Sequence, residues 1–410
     1  MATPSDATVP TLSNSSSNTL SSSNSMSDSS GNNSLSSRNN ENQGRLSDSE
    51  CEPPRKRSKI SIDSASVDGQ ISTTTSHDYL DMLPQRTCDW TDHHLFCLNI
   101  SISESCTSSF EVFTNGYTNF LKDPLNEICS LSGLIEFLYG PSSDVKEAKY
   151  QCCLNAFNIL SVDGSNLFES QDILLLRQLK CELEKPYNQT EFGKWMEYYV
   201  FGKDRDLKDF ITNTCRGIHL RLKDFCGQLL YMIPNGKEEC TEGMYQELFL
   251  LFLRIFDIKV RGYKNFPSSP PTVRVGDIEV TSVPDALIYK DSEYPSEGDK
   301  ILAVVKITDV RKEHLDSNLK GQLVGDMLAA LPRSVFHNNG MYGIIVQGTE
   351  VTLAALSVGK KYYENLQEGS LKEATSSVRY SKPLNFLKKC ERNELIRLFV
   401  DMKAMMEKLG

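Results

Sequence analysis

Asp285 and Lys306 are the two positions in this 410-residue chain whose residue types and setting suit chemistry. Asp285 follows Pro284 at the head of the apolar run Ala286-Leu287-Ile288-Tyr289, and Lys306 closes the later run Ile301-Leu302-Ala303-Val304-Val305. An acid and a lysine emerging from the edges of adjacent strands form a site for metal-assisted phosphodiester hydrolysis. The carboxylate would hold Mg2+, whose all-oxygen coordination suits aspartate and phosphate. The lysine would orient or activate the attacking water and offset charge building on the phosphate. Glu247, on the helix before, would reach the metal shell through water, and Gln322, on the helix after, would contact water or a phosphate. Taken singly, each has an ordinary structural reading: an Asp after Pro caps a turn, and Lys, Gln and Glu populate solvated faces. Their joint order points to a site.

The elements that must position these residues are legible from periodicity. A strongly apolar helix is expected over 243–257. Short β-branched runs follow at 273–275 and 278–280, then strands over 283–289 and 301–307. A helix over 315–331 stops at Pro332, a hairpin joins 341–346 to 351–355, and an amphipathic helix carrying Leu384, Leu387, Leu395, Leu398, Phe399, Met402 and Met406 closes the chain. Upstream, apolar residues recur at helical spacing, as in Leu125, Ile128, Leu131, Leu134, Ile135 and Leu138, and again in Ile173, Leu174, Leu176, Leu179 and Leu183. The stretch over 95–113 suits short strands. The expected class is α+β, in four parts. Residues 1–78 form a disordered Ser/Asn-rich tail, 79–240 a mainly helical region, 241–360 a mixed-sheet α/β domain, and 361–410 a C-terminal helical extension.

The order Glu247, Pro284-Asp285, Lys306, Gln322 resembles the PD-(D/E)XK nuclease superfamily over residues 241–360. In that superfamily a Glu-bearing helix precedes a strand with the metal-binding Asp. The next strand carries (D/E)-x-Lys, and a helix bearing Gln follows. The segment Tyr342-Gly343-Ile344-Ile345-Val346-Gln347-Gly348 looks like the strand after that helix, as in nuclease domains of mobile-element proteins. The resemblance implies a restriction-endonuclease-like fold, with Asp285 and Glu247 as metal residues, Lys306 and Gln322 completing the catalytic set, Mg2+ as cofactor, and DNA or RNA as substrate. One departure matters: the second acid of the motif falls at Val304, which cannot ligate metal. Removing one of two carboxylates should weaken Mg2+ strongly. Either an acid has moved, with Asp309, Glu313 or Glu279 as candidates, or Glu247 carries more of the coordination, or the domain has kept the fold and lost the reaction.

Composition narrows the setting. The N-terminal stretch is rich in Ser and Asn and lacks aromatics, so it cannot bury enough apolar surface to offset its conformational entropy. Within it, Arg55, Lys56, Arg57 and Lys59 form a compact basic cluster that resembles a nuclear import signal and implies an import receptor as partner and a nuclear location. No run is apolar enough for a membrane span, and no export signal precedes the tail. The 12 cysteines are then expected as reduced thiols. A net charge of −10 argues against a generally basic nucleic-acid coat while leaving room for a local basic cleft. Two function classes follow: a nuclear, Mg2+-dependent nuclease or a degenerate relative, and a non-catalytic nuclear scaffold whose helical region binds a protein partner of unspecified identity.

Overall fold

The computed structural model describes residues 80, 83–104, 108–120, 144–158, 170–233, 239–262, 270–290, 299–308, 315–371 and 374–409. The basic cluster at Arg55–Lys59, the Leu125–Leu138 stripe and the alternative acids Asp309 and Glu313 lie outside the described residues. The chain divides into two units, Met1–Gln70 and Ile71–Gly410, and the second is the one described.

The second unit is α+β. Helix α1 (Asp92–Cys97) leads into strand β1 (Ile100–Glu104), so the 95–113 stretch holds one strand between two helices. Five helices follow: α2 (Ser109–Phe120), α3 (Asp144–Asn158), α4 (Ser170–Glu184), α5 (Glu191–Tyr199) and α6 (Arg205–Met232). Asp204 caps α6 by accepting the Leu207 N–H at 2.9 Å, as an N-cap aspartate does. Helix α7 (Glu242–Ile255) is buried on nearly every side from Leu248 to Ile255, which is the pattern of a helix held inside a core.

Strands β2 (Val260–Gly262), β3 (Thr272–Val275), β4 (Ile278–Thr281), β5 (Ala286–Tyr289) and β6 (Ile301–Thr308) come next. They are followed by α8 (Ser317–Ala330), β7 (Gly340–Gln347), β8 (Glu350–Val358) and α9 (Tyr362–Gln367). The chain closes with β9 (Ser376–Tyr380), β10 (Leu384–Asn385) and α10 (Lys389–Lys408). The main sheet runs β1-β9-β8-β7-β6-β5-β2, with β10 also paired to β8, while β3 and β4 form a separate hairpin. Among the described strands β1–β9 and β6–β7 are the parallel pairs, the latter bridged by α8. The sheet therefore draws strands from residues 100–104 and 376–385 as well as from the 241–360 stretch.

Two expectations shift in detail. The strand expected over 283–289 begins only at Ala286, because Asp285 is occupied in turning the chain. The final helix starts at Lys389. Leu384 is drawn into a bridge with Val351, and Asn385 closes a turn by accepting the Leu387 N–H at 2.9 Å. Among the described residues every cysteine is a free thiol, and no helix is long and apolar enough to cross a membrane.

The sheet has a core on each face. On one side the helices from α2 to α7 and α10 enclose a cluster containing Phe157, Phe225, Phe252, Phe256, Phe386 and Phe399, and this cluster continues into Ala303, Val305 and Ile344 of the strands. The helical region and the sheet thus share one hydrophobic interior. On the other side α8 lies between the strands and the 83–98 segment, with Trp90, Leu95, Leu323, Met327, Val304 and Ile345 buried together. Two glycines permit this fit. A Cβ at Gly321 would stand 2.5 Å from the Thr91 backbone, and one at Gly343 would stand 2.8 Å from Leu323 and Met327. Helix α8 can approach its neighbours only without those atoms.

Candidate functional site

Strands β5 and β6 are antiparallel, with Ala286 opposite Val305. One step further along, Asp285 and Lys306 face each other at the same end of the sheet. The Asp285 N–H donates to the Val305 carbonyl at 3.1 Å, which fixes the residue against β6. Its Oδ2 accepts the Ile307 N–H at 2.7 Å and lies 3.5 Å from the Lys306 ammonium. The Lys306 ammonium also lies 3.5 Å from the Val283 carbonyl. Both side chains are largely withdrawn from water, at 14% exposure for Lys306 and 17% for Asp285. The expected convergence is present, and it is tighter than a metal-bridged arrangement: acid and base touch directly.

Burial pushes the Asp285 carboxyl above its ordinary range, and the Lys306 charge and the Ile307 N–H pull it back. A second carboxylate shares the same lysine. Asp326, on α8, is fully buried; its Oδ1 accepts from the Thr87 hydroxyl at 2.5 Å and the Ser282 hydroxyl at 2.8 Å. Among the described residues its Oδ2 has no hydrogen-bond partner. Burial, opposed first by Lys306, pushes Asp326 up to about 6, and Asp285 adds to the rise. Lys306 thus pairs with Asp285 and its charge also opposes the burial cost of Asp326.

The other expected residues are placed differently. Glu247 is exposed, and its nearest partner is Arg254, at 3.8 Å. The adjacent Gln246 reaches the site instead, donating to the Asp285 backbone carbonyl at 2.7 Å. Gln322 donates to the Cys88 carbonyl at 2.8 Å, tying α8 to the 83–98 segment. A cleft of about 290 Å³ at this end of the sheet is lined by Lys306, Gln322, Glu242, Asp316 and Gln347 among the described residues. Neither Asp285 nor Glu247 lines it. Glu279 sits on the separate hairpin, exposed and opposite Arg274.

The donor set can be tested against Mg2+. The Asp285 oxygen that faces the cluster is engaged by an ammonium and an N–H. Val304, where a second acid would stand, is fully buried between Leu287 and Gly343. Asp326 commits one oxygen to two hydroxyls and lies wholly inside. Among the described residues no three acidic, His or Cys side chains are placed to share a metal. Magnesium needs near-octahedral oxygen coordination with room for its waters, and these residues do not fit it.

Sequence reasoning missed Asp326 and Glu242. Asp326 carried a signal: it is the one acid in the helix Ser-Asn-Leu-Lys-Gly-Gln-Leu-Val-Gly-Asp-Met-Leu-Ala-Ala, otherwise apolar toward its C-terminal end. No family model matches the chain, and neither a curated protein nor a solved structure shows significant similarity to it.

Proposed function

We propose that the α/β body is a PD-(D/E)XK-like domain that has kept the frame of a nuclease and lost metal-dependent hydrolysis, and that the chain works in the nucleus as a non-catalytic scaffold. The order helix, Asp at the head of a strand, Lys-bearing strand, Gln-bearing helix and further strand supports the kinship. The loss rests on one observation: the Asp285 carboxylate is spent on Lys306 and Ile307 while Val304 fills the second acid's position with dry hydrocarbon. Among the described residues the second carboxylate, Asp326, is fully buried and committed to two hydroxyls, so no pair of acids is open to hold Mg2+ at Asp285 or to activate water through it. The pair instead stabilises the strand ends it joins. Nuclear entry would come from Arg55, Lys56, Arg57 and Lys59 through an import receptor.

A cleavage assay on plasmid and single-stranded DNA and on RNA, with added Mg2+, tests the reading. The expected result is no hydrolysis above that of Asp285→Ala. Mg2+-dependent cleavage abolished in both Asp285→Ala and Lys306→Ala would overturn it.

A further inference from the structure

The opposite end of the same strands carries a second cleft of about 430 Å³. From Asp285 to Tyr289 the chain advances about 13 Å along β5, at roughly 3.3 Å per residue. Among the described residues five cations line this cleft, Arg221, Arg254, Lys259, Arg261 and Lys290, against two carboxylates, Asp257 and Asp299. They arrive from α6, the end of α7, β2 and its approach, and the end of β5. The chain as a whole has a net charge of −10, so this local excess of three positive charges, five less two, is a departure from the rest of the molecule.

The cleft is ordered from behind. Asp257 holds a left-handed backbone at φ 63°, a conformation usually left to Gly or Asn at a helix end. Its carboxylate binds Arg221 at 2.7 Å and lies 4.0 Å from Lys403. Arg261 and Arg333 both lie over the Tyr289 ring, at 5.5 and 5.9 Å. The Lys290 ammonium donates to the Leu409 carbonyl at 2.8 Å. Among the described residues Arg254 has only the distant Glu247 carboxylate, at 3.8 Å, for an ion pair. Arg333 donates to the Asp299 carbonyl at 3.3 Å, while Arg261 lines the cleft and carries the guanidinium fork that suits a phosphate. Among the described residues the cations of this concave surface outnumber its carboxylates, and an anion seated among them gains from that field.

We propose that this cleft is a phosphate-binding site for a nucleotide or a polynucleotide strand, distinct from the Asp285 end and independent of how that end is read. The volume falls in the range of small-ligand pockets, and the cations are spread widely enough to meet more than one phosphate.

Binding of a short fluorescein-labelled single-stranded oligonucleotide to the full chain, followed by anisotropy, tests this, with ATP as a direct ligand in a second arm. Lys259 and Arg254 are both exposed, so reversing either leaves the core intact. Lys259→Glu and Arg254→Glu should each weaken oligonucleotide binding about tenfold and lower the slope of log affinity against log salt by about 0.7. Glu247→Gln, which frees Arg254, should tighten binding about twofold. Lys208→Glu, at the exposed start of α6, should change nothing. Binding of ATP as well as the oligonucleotide supports a nucleotide pocket, and binding of the oligonucleotide alone supports a strand groove. Absence of binding by both probes, or equal effects of Lys259→Glu and Lys208→Glu, overturns the proposal.

Discussion

The Lys306 ammonium lies 3.5 Å from the Asp285 carboxylate and is also the principal charge opposing the ionisation penalty of buried Asp326. One cation therefore serves two acids. Breaking a buried pair by removing one partner leaves an uncompensated charge. Lys306→Met strands two carboxylates, whereas Asp285→Asn leaves Lys306 with Asp326. Urea denaturation should show a loss of about 3 kcal/mol for Lys306→Met. The loss for Asp285→Asn should be smaller, and the reverse ranking would contradict the shared-lysine arrangement.

Val304 is sealed between Leu287 and Gly343 beneath α8. Restoring an acid there with Val304→Glu places a carboxyl among Leu323, Met327 and Ile345. Burial of that group should cost about 3 kcal/mol or more, with Lys306 offsetting only part. The variant should show a lowered urea midpoint and no gain of DNA cleavage. A variant as stable as the parent that cleaves DNA would show that the position is open to a metal.

Asp326 links stability to pH. Its folded pKa of about 6 lies above the ordinary 3.8, so the folded state binds the proton more tightly than the unfolded chain. The stabilisation is fully present below pH 3.8 and is lost as pH rises through 6, with a span of about 3 kcal/mol. Asp326→Asn cannot ionise. The difference in unfolding free energy between parent and variant should therefore shift in the variant's favour from pH 4 to pH 7. A difference independent of pH would place the carboxyl in a more polar setting than its two hydroxyl partners supply.

Much of this could be seen in the sequence, for a physical reason. The Asp285–Lys306 pair was legible because Asp285 heads one apolar run and Lys306 follows another, and charged groups at the ends of neighbouring buried strands meet. Helix α7 was legible as a helix, yet its facing was not: one residue turns a helix by about 100°, and that step separates exposed Glu247 from Gln246, which reaches the site. Strand β9 escaped because Ser376-Ser377-Val378-Arg379-Tyr380 is short and half polar, its role set by the β8 edge rather than by its own pattern. Asp326 escaped because its partners, Thr87 and Ser282, come from distant parts of the chain.

Gly321 and Gly217 should respond oppositely to alanine. A Cβ at Gly321 meets the Thr91 backbone at 2.5 Å, which forces α8 and the 83–98 segment apart, whereas Gly217 in α6 has open space around that position. Gly321→Ala should lose about 1–3 kcal/mol and speed amide exchange at Trp90 and Leu95. Gly217→Ala should gain about 0.5–1 kcal/mol from helix propensity and a less free unfolded chain. Thermal denaturation of both variants checks the contrast, and equal effects would argue against the close approach at Thr91.

The central claim, that the Asp285 end is a structural ion pair and holds no metal, is tested most directly by a Mg2+ titration of thermal stability in the parent and in Asp285→Ala. A ligand at ten times its dissociation constant stabilises the folded state by about 1.4 kcal/mol. About 10 mM Mg2+ should shift the melting temperature of both proteins equally. A Mg2+-dependent rise in the parent that vanishes in Asp285→Ala would contradict it.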